Sequence, residues 1–326
     1  MSLKTLFSPC RAVRSTQIAF ALALLLGCAA SVQAAQPVDC SSPDVLGTSR
    51  TIDLGTQGGA AIGLKTYDHT LALADHEVVL TFDDGPFPAT TGKVLDALAQ
   101  QCVKATFFLI GRNAEANAGL VKREVHDGHT IGHHTYSHPD VTMRGWSDAQ
   151  ARADIDRGFA ADRKSSGDVA TTQFFRFPGF ADTPTLRSWL EARNVAIFGA
   201  DLWASDWNPM SADTELKLLL SRLEAQGRGM ILLHDTKPQT AEMLPNFLHE
   251  LKMRGYHVVA LRPASGPPPA FETAPPGWSS ETEATLAKIM PRLLAAHAKL
   301  TALGAKPKAV GAKDGAMPER DIPNMR

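Results

Sequence analysis

From residue 77 to residue 261, short apolar runs alternate with stretches of helical period, and this alternation most restricts what the chain can fold into. The runs are EVVLTF (77–82), ATFFLI (105–110), HTIGHH (129–134), QFFRFP (173–178), VAIFGAD (195–201), GMILLHD (229–235) and YHVVAL (256–261). Each has strand length, and most are rich in β-branched or aromatic residues. The stretches between them carry helix signals. TGKVLDALAQQC (91–102) puts Val94, Leu95, Leu98 and Cys102 on one stripe. SDAQARADIDRGFAADR (147–163) opens with Ser147 and Gln150 at capping-box spacing. TPTLRSWLEAR (183–193) sets Thr183 before Pro184, a helix start. SADTELKLLLSRLEAQG (211–227) and TAEMLPNFLHELKMRG (240–255) each stop at a glycine. Seven strands alternating with helices predict βα units and a parallel sheet. Seven such units suit a closed or nearly closed barrel, with a doubly wound open sheet as the alternative. In a parallel β/α barrel the C-terminal strand ends form the active face. Asp83, Asp84, His134, Arg176, Asp201, His234 and Asp235 all fall at such ends.

The flanks read differently. Lys4, Arg11 and Arg14 precede the apolar run IAFALALLLGCAA and then SVQAAQ, the pattern of a secretory signal over 1–35 with cleavage after Ala34. The apolar run is short of the ~20 residues a membrane span needs, so no transmembrane span is expected in the mature chain. LLGC (25–28) offers a second reading, lipid attachment at Cys28. Either way the chain is expected to be exported, periplasmic or secreted. With the leader gone, Cys40 and Cys102 remain; an oxidising compartment permits a disulfide between them, and two unpaired thiols are the equal alternative. Residues 36–75 read as an N-terminal extension, and 76–262 as the main domain. Residues 263–326 read as a Pro-rich linker, a helix from Ser280 with Glu283 completing a capping box, and a disordered tail. Leu286, Ile289, Leu293, Leu300 and Leu303 give that helix an apolar stripe, and Pro291 should kink it. The formal charge of −1 carries no basic cluster, which argues against nucleic acid as a partner.

Five motifs carry chemistry. In VLTFDDGP (79–86), Asp83 and Asp84 are adjacent, and neighbouring strand residues face opposite ways. They can serve one site only if the backbone turns, and Gly85-Pro86 supplies a turn. Otherwise they are an N-cap and a turn residue. HDGHTIGHHTYSHPD (126–140) holds five of the chain's eleven histidines. His134 and His138 are four apart, which on a helical turn puts both imidazoles on one face. Two His and one Asp leave coordination positions open, as catalytic zinc sites do. His126 and His129 are read as capping the preceding helix and starting the strand, and His133 as pointing into the wall. In FFRFPGF (174–180), Arg176 is either a surface charge or a partner that holds Asp83 ionised and oriented. The Gly179 amide after Pro178 could stabilise an oxyanion. In DLWASDW (201–207), Asp201, Asp206, Trp203 and Trp207 lie on a loop, as sugar-stacking groups or as core. ILLHD (231–235) ends in His234, a natural general acid.

In this order the motifs resemble the polysaccharide deacetylase family, also called the NodB-homology domain or carbohydrate esterase family four. The resemblance covers about 77–261 and rests most on TFDDGP followed by HTYSHP. It implies an α/β fold, an incomplete or distorted (β/α)7 barrel, and a divalent metal, zinc first among the candidates. It implies removal of acetyl groups from N-acetylated sugars of chitin-like chains or peptidoglycan, so the expected partner is a polysaccharide or oligosaccharide. By the same resemblance Asp83 is the catalytic base and Arg176 its tether. Asp84, His134 and His138 are the metal ligands, and His234 is the acid. Gly179, Phe180, Trp207, Asp201 and Asp206 fall on the substrate groove, with Asp201 or Asp206 supporting His234. Two departures stand out: Gly179 occupies a position usually aromatic in the family, and Trp203 occupies that of a supporting aspartate. An O-acetyl polysaccharide esterase and a non-catalytic carbohydrate-binding protein on the same scaffold are the competing readings.

Overall fold

The computed structural model describes residues 39–139, 142–167 and 171–302. The expected leader with Cys28, and the expected disordered tail with Leu303, lie outside these residues. No helix among the described residues is long and apolar enough to cross a membrane.

Three strands, β1 (Thr48–Gly55), β2 (Ala61–Ile62) and β3 (His69–Leu71), precede the main alternation. That alternation begins with β4 (Glu77–Asp83), α1 (Thr91–Gln100), β5 (Thr106–Leu109), α2 (Gly111–Ala116), α3 (Ala118–His126) and β6 (Thr130–His133). It continues through α4 (Asp148–Ser166), β7 (Thr171–Phe175), α5 (Pro184–Glu191), β8 (Ala196–Phe198) and β9 (Leu202–Trp203). Then come α6 (Ala212–Gln226), β10 (Gly229–His234), α7 (Pro238–Met253), β11 (His257–Ala264), β12 (Phe271–Thr273) and α8 (Glu281–Ala302). The seven strands expected from the apolar runs are β4, β5, β6, β7, β8, β10 and β11. The helix signals operate as written: Ser147 and Gln150 form a capping box on α4, and Thr183 caps α5 with Pro184 following. Gly227 ends α6 in the left-handed conformation.

Ten strands form one sheet in the order β1-β11-β4-β5-β6-β7-β8-β2, with β10 beside β4 and β9 beside β10. Every pairing within it is parallel. β8 pairs with β2 rather than with β9, so the ring of strands is incomplete. The fold is thus an α/β barrel left open at one seam. Residues 36–75, weakly patterned in sequence, supply β1 and β2 to this sheet, and β3 pairs with β12 from the Pro-rich stretch. Most of β1 is exposed or half-buried, so backbone bonds hold it at the edge and no apolar pattern marks it. Cys40 and Cys102 are joined in a disulfide that ties the N-terminal segment to the end of α1. Pro291 lies inside α8 without ending it. Leu286 and Met290 of α8 pack on Ala181, and Arg144 pairs with Glu283.

Strand parity decides what faces the site. Val79 joins Phe108, Phe174, Phe198 and Met230 in the cluster enclosed by the strands. Val78, Leu80 and Phe82 face the other way, under Leu95 of α1, Leu223 of α6 and Phe247 of α7. Side chains alternate along a strand, so Thr81 and Asp83 share the inner side with Val79. On β7 the same count puts Phe174 and Arg176 inside, with Phe175 and Phe177 in the outer layer. On β10 it puts Met230, Leu232 and His234 inside, with Ile231 and Leu233 in the outer layer.

Candidate active site

Asp83 and His234 end neighbouring strands and are register partners in the β4–β10 ladder. The ladder therefore sets the two side chains next to each other at the C-terminal rim. Arg176 crosses the barrel interior with no exposed surface. Its Nη1 donates to Asp83 Oδ1 at 2.7 Å and to Thr81 Oγ1 at 2.9 Å, and its Nη2 donates to the Gly199 carbonyl at 2.7 Å. The guanidinium stacks over Phe108, 4.3 Å from the ring centroid. This arrangement fixes one oxygen of Asp83 and leaves Oδ2 facing His134 Nε2 at 3.8 Å.

By parity Asp84 would face the outer layer. Its backbone instead takes φ 77, which turns the chain and returns the carboxylate to the rim. Asp235, outer by parity on β10, braces this turn. It accepts a hydrogen bond from Thr91 Oγ1, and that hydroxyl accepts the Phe87 amide at 2.7 Å. Asp235 lies so close to Gly85 that a Cβ there would stand 2.2 Å from its Oδ2. Asn113 Nδ2 donates to the Asp84 carbonyl at 2.8 Å. Sequence reasoning placed Asp235 at the rim without a role, and it missed the supporting residues Thr91 and Asn113. The His234-Asp235 adjacency was the available signal, since one residue of such a pair must face outward.

His134 and His138 converge on Asp84 Oδ1, with both Nε2 atoms at 3.5 Å. The expected reason, a helical turn, is not the observed one. β6 ends at His133, and Thr135 and His138 take left-handed φ values of 66° and 47° in a loop. The His138 amide donates to Thr135 Oγ1 at 3.0 Å, which closes the loop. His134 Nδ1 donates to the Arg176 carbonyl at 2.7 Å, so its Nε2 carries the lone pair that faces Asp84. Burial pushes His134 down to about 4, against the pull of Asp83. The ring is therefore neutral and able to ligate near pH 7. Burial would raise Asp84, but His138 and His234 outweigh it and hold this carboxyl well below its ordinary range. Asp84 Oδ1 is nonetheless buried without a hydrogen-bond partner. An unpartnered carboxylate oxygen facing two imidazole nitrogens is what a cation site presents. The ligand atoms of Asp84, His134 and His138 lie within 4.8 Å of one another, so these residues fit a divalent ion.

The acid candidate, His234, takes its support from Asp206. Asp206 Oδ1 accepts His234 Nδ1–H at 2.8 Å, and Oδ2 accepts the His234 backbone N–H at 2.7 Å. Burial disfavours the imidazolium, but Asp206, with Asp84 and Asp83 adding to it, outweighs burial and pushes His234 up to about 9. Its Nε2 points back to the metal-ligand cluster, 4.0 Å from Asp84 Oδ2.

The remaining expected residues separate into two groups. Asp201 is not a groove residue and does not support His234. It is buried and accepts from the Leu64 amide, the Met230 amide and Thr70 Oγ1, each at 2.8 Å, so it ties β10 to the N-terminal segment. The choice between Asp201 and Asp206 falls to Asp206. Trp203 is likewise a buried residue of β9, not a loop residue. Trp207 is half-buried and stands edge-on to His234, with ring centroids 6.1 Å apart. Gly179 is exposed in a short 3-10 turn over Pro178–Phe180, and Phe180 is largely buried beside Arg176 and Trp203. His133 faces outward as expected, bonded to Asp162 at 2.7 Å.

An incomplete β/α barrel thus gathers at its rim a carboxylate tethered by an arginine, an imidazole tethered by a carboxylate, and an Asp-His-His cluster that could hold a cation, an arrangement suited to hydrolysis. A polysaccharide deacetylase family profile matches residues 70–195. A peptidoglycan-N-acetylglucosamine deacetylase of Bacillus cereus is 33% identical over 203 residues, covering 61% of this chain and 69% of that protein. The peptidoglycan-N-acetylglucosamine deacetylase PgdA of Listeria monocytogenes is 32% identical over 58% of this chain, which spans only 39% of that longer protein. Among solved structures, the Bdellovibrio bacteriovorus peptidoglycan deacetylase Bd3279 superposes with a TM-score of 0.61 at 30% identity, over 71% of this chain and 64% of that one. The chain belongs to the polysaccharide deacetylase family, a family of hydrolases.

Proposed function

We propose that this protein is an exported, metal-dependent deacetylase that hydrolyses the acetamide of N-acetylated sugars in a polysaccharide, peptidoglycan or a chitin-like chain. The observation that carries the reading is the Asp83–His234 register pair. It sets a proton acceptor and a proton donor on adjacent strands, each fixed from behind by a separate partner. The names of the similar proteins support the sugar class, and the disulfide supports an oxidising compartment.

Asp84, His134 and His138 would hold the cation, with zinc favoured by the nitrogen-rich donor set. When bound there, a divalent ion supplies Lewis acidity, polarising the acetyl carbonyl and making water easier to deprotonate. The rest of the chemistry falls to this chain's own side chains. Asp83 Oδ2, left free by the Arg176 contact to Oδ1, accepts a proton from the attacking water. The water oxygen bonds to the acetyl carbon. As the C–N bond breaks, His234 Nε2–H protonates the sugar nitrogen, and acetate and the free amine leave. Asp206 holds Nδ1–H throughout, so the proton that moves is the one on Nε2. The Gly179 amide is this chain's candidate donor to the oxyanion, and Trp207 is the candidate sugar-stacking face.

The test is acetate release by the zinc-loaded protein from N-acetylglucosamine oligomers, peptidoglycan and acetylated xylan. Turnover of the first two, abolished by Asp83→Asn, supports the proposal. Release from xylan alone replaces it with the O-acetyl esterase reading, and binding without release replaces it with the carbohydrate-binding one.

A further inference from the structure

Two buried groups beside Asp206 take no part in the reaction as described. Thr240, in the first turn of α7, places its Oγ1 2.9 Å from Asp206 Oδ2 and 2.9 Å from Glu215 Oε1. Glu215 sits on α6 with 0% of its surface exposed, and its Oε2 has no hydrogen-bond partner. A hydroxyl has one hydrogen and cannot donate to both carboxyls. With both acids ionised, one of the two contacts would set oxygen lone pairs against each other in an enclosed space. Every short contact is satisfied when Glu215 carries a proton, donates it to Thr240 Oγ1, and Thr240 donates onward to Asp206. Burial and the charge of Asp206 push Glu215 up to about 8, in keeping with this proton count.

We propose that Thr240 and Glu215 are positioning residues for the acid group: a neutral Glu215 carboxyl directs the Thr240 hydroxyl onto Asp206, and Asp206 thereby meets His234 with both oxygens held. The proposal rests on the reading of His234 as the acid. Asp206 Oδ2 accepts from Thr240 and from the His234 backbone, and Gln239 Nε2 donates to the Asp206 carbonyl at 2.7 Å. The charged groups acting on His234 are Asp206, Asp84 and Asp83, with Asp235 and Glu215 also within its field and Lys237 facing Asp84; those acting on Glu215 are Asp206 and His234. Each donor to Asp206 spreads its charge and weakens its hold on the imidazolium. Thr240 thus fixes the orientation in which Asp206 meets the ring.

The test has two readouts in the full chain. The infrared carbonyl band of one neutral carboxylic acid should be present in wild type at neutral pH and lost in Glu215→Gln; this needs no turnover, so it stands even if the deacetylase reading fails. In the zinc-loaded protein, Thr240→Val should lower kcat for acetate release from N-acetylglucosamine oligomers by about 3- to 10-fold with KM little changed, and Thr240→Ser should restore it. Glu215→Gln can still donate N–H to Thr240, so its kcat should match wild type. The absence of any acid band that Glu215→Gln removes overturns the proposal, as does a wild-type kcat in Thr240→Val. If Thr240→Val does not fold, the glutamine variant decides alone.

Discussion

Asparagine in place of Asp206 removes the charge that keeps His234 protonated, and the structure sets the direction and the order of magnitude of the effect. His234 is pushed up to about 9, with Asp206 the main upward influence, against an ordinary value of about 6.5. Asparagine can still accept a hydrogen bond there, but burial then meets little opposition and the ring titrates at or below its ordinary value. The difference is about 2.5 pH units, on the order of 3 kcal/mol. With the variant ring at its ordinary value, the protonated fraction at pH 8 falls from roughly nine-tenths to roughly three-hundredths, a loss of about 30-fold in kcat/KM, and at pH 6 the loss is about twofold or less; a lower midpoint enlarges both losses and keeps the one at pH 8 the greater. A cation on Asp84 would lower the limb in both enzymes and leave most of the difference. The stability effect has the same origin. A raised folded-state pKa contributes stability that is fully present below about pH 6.5 and is lost as pH rises through about 9. Asp206→Asn should therefore cost most stability in acid to neutral solution and least in alkali. Initial rates of acetate release from N-acetylglucosamine oligomers, followed from weakly acid to alkaline pH, measure the first effect. A defect of equal size across that range would refute the reasoning.

Two further substitutions test the scaffold of the site. Arg176→Met leaves Asp83 buried without its partner, and breaking such a pair costs about 3–5 kcal/mol; urea unfolding should show it, and adding Asp83→Asn should recover part of the loss. An unchanged midpoint in the single variant would contradict the pairing. Gly158→Ala on α4 should stabilise a helix by up to about 1 kcal/mol on propensity alone, yet its Cβ would stand 2.6 Å from the Thr135 carbonyl carbon, in the loop between His134 and His138. Isothermal titration with zinc should show weaker binding in this variant, and wild-type affinity would mean the loop does not depend on that contact.

Strand parity makes much of the barrel and its rim legible in the sequence alone. Asp83, His134, Arg176 and His234 all lie on the inner side because each continues an inner row of a short apolar strand. Asp84 could not be placed by parity, since a left-handed residue breaks the alternation there. The four-residue spacing of His134 and His138 pointed to a shared ligand role through the wrong local structure. A loop closed by Thr135, with α4 packed against it, does what a helical turn was expected to do. Asp201 and Asp206 are both aspartates on one stretch of chain, and only the β10 register tells which reaches His234. β1 left no apolar signature because backbone pairing, not side-chain burial, attaches most of it, and β2 is only the two residues Ala61–Ile62, too short to read as a strand. Thr240 and Glu215 sit on helices whose polar residues usually face solvent, and nothing in their spacing marks them as enclosed.

Elemental analysis of the purified full chain, beside His134→Ala and His138→Ala, tests the central claim most directly. The account predicts about one divalent ion per chain in the wild type, loss of that ion in each variant, and catalysis abolished by a chelator and restored by zinc. A full complement of metal in both variants, or acetate release indifferent to chelation, would contradict it.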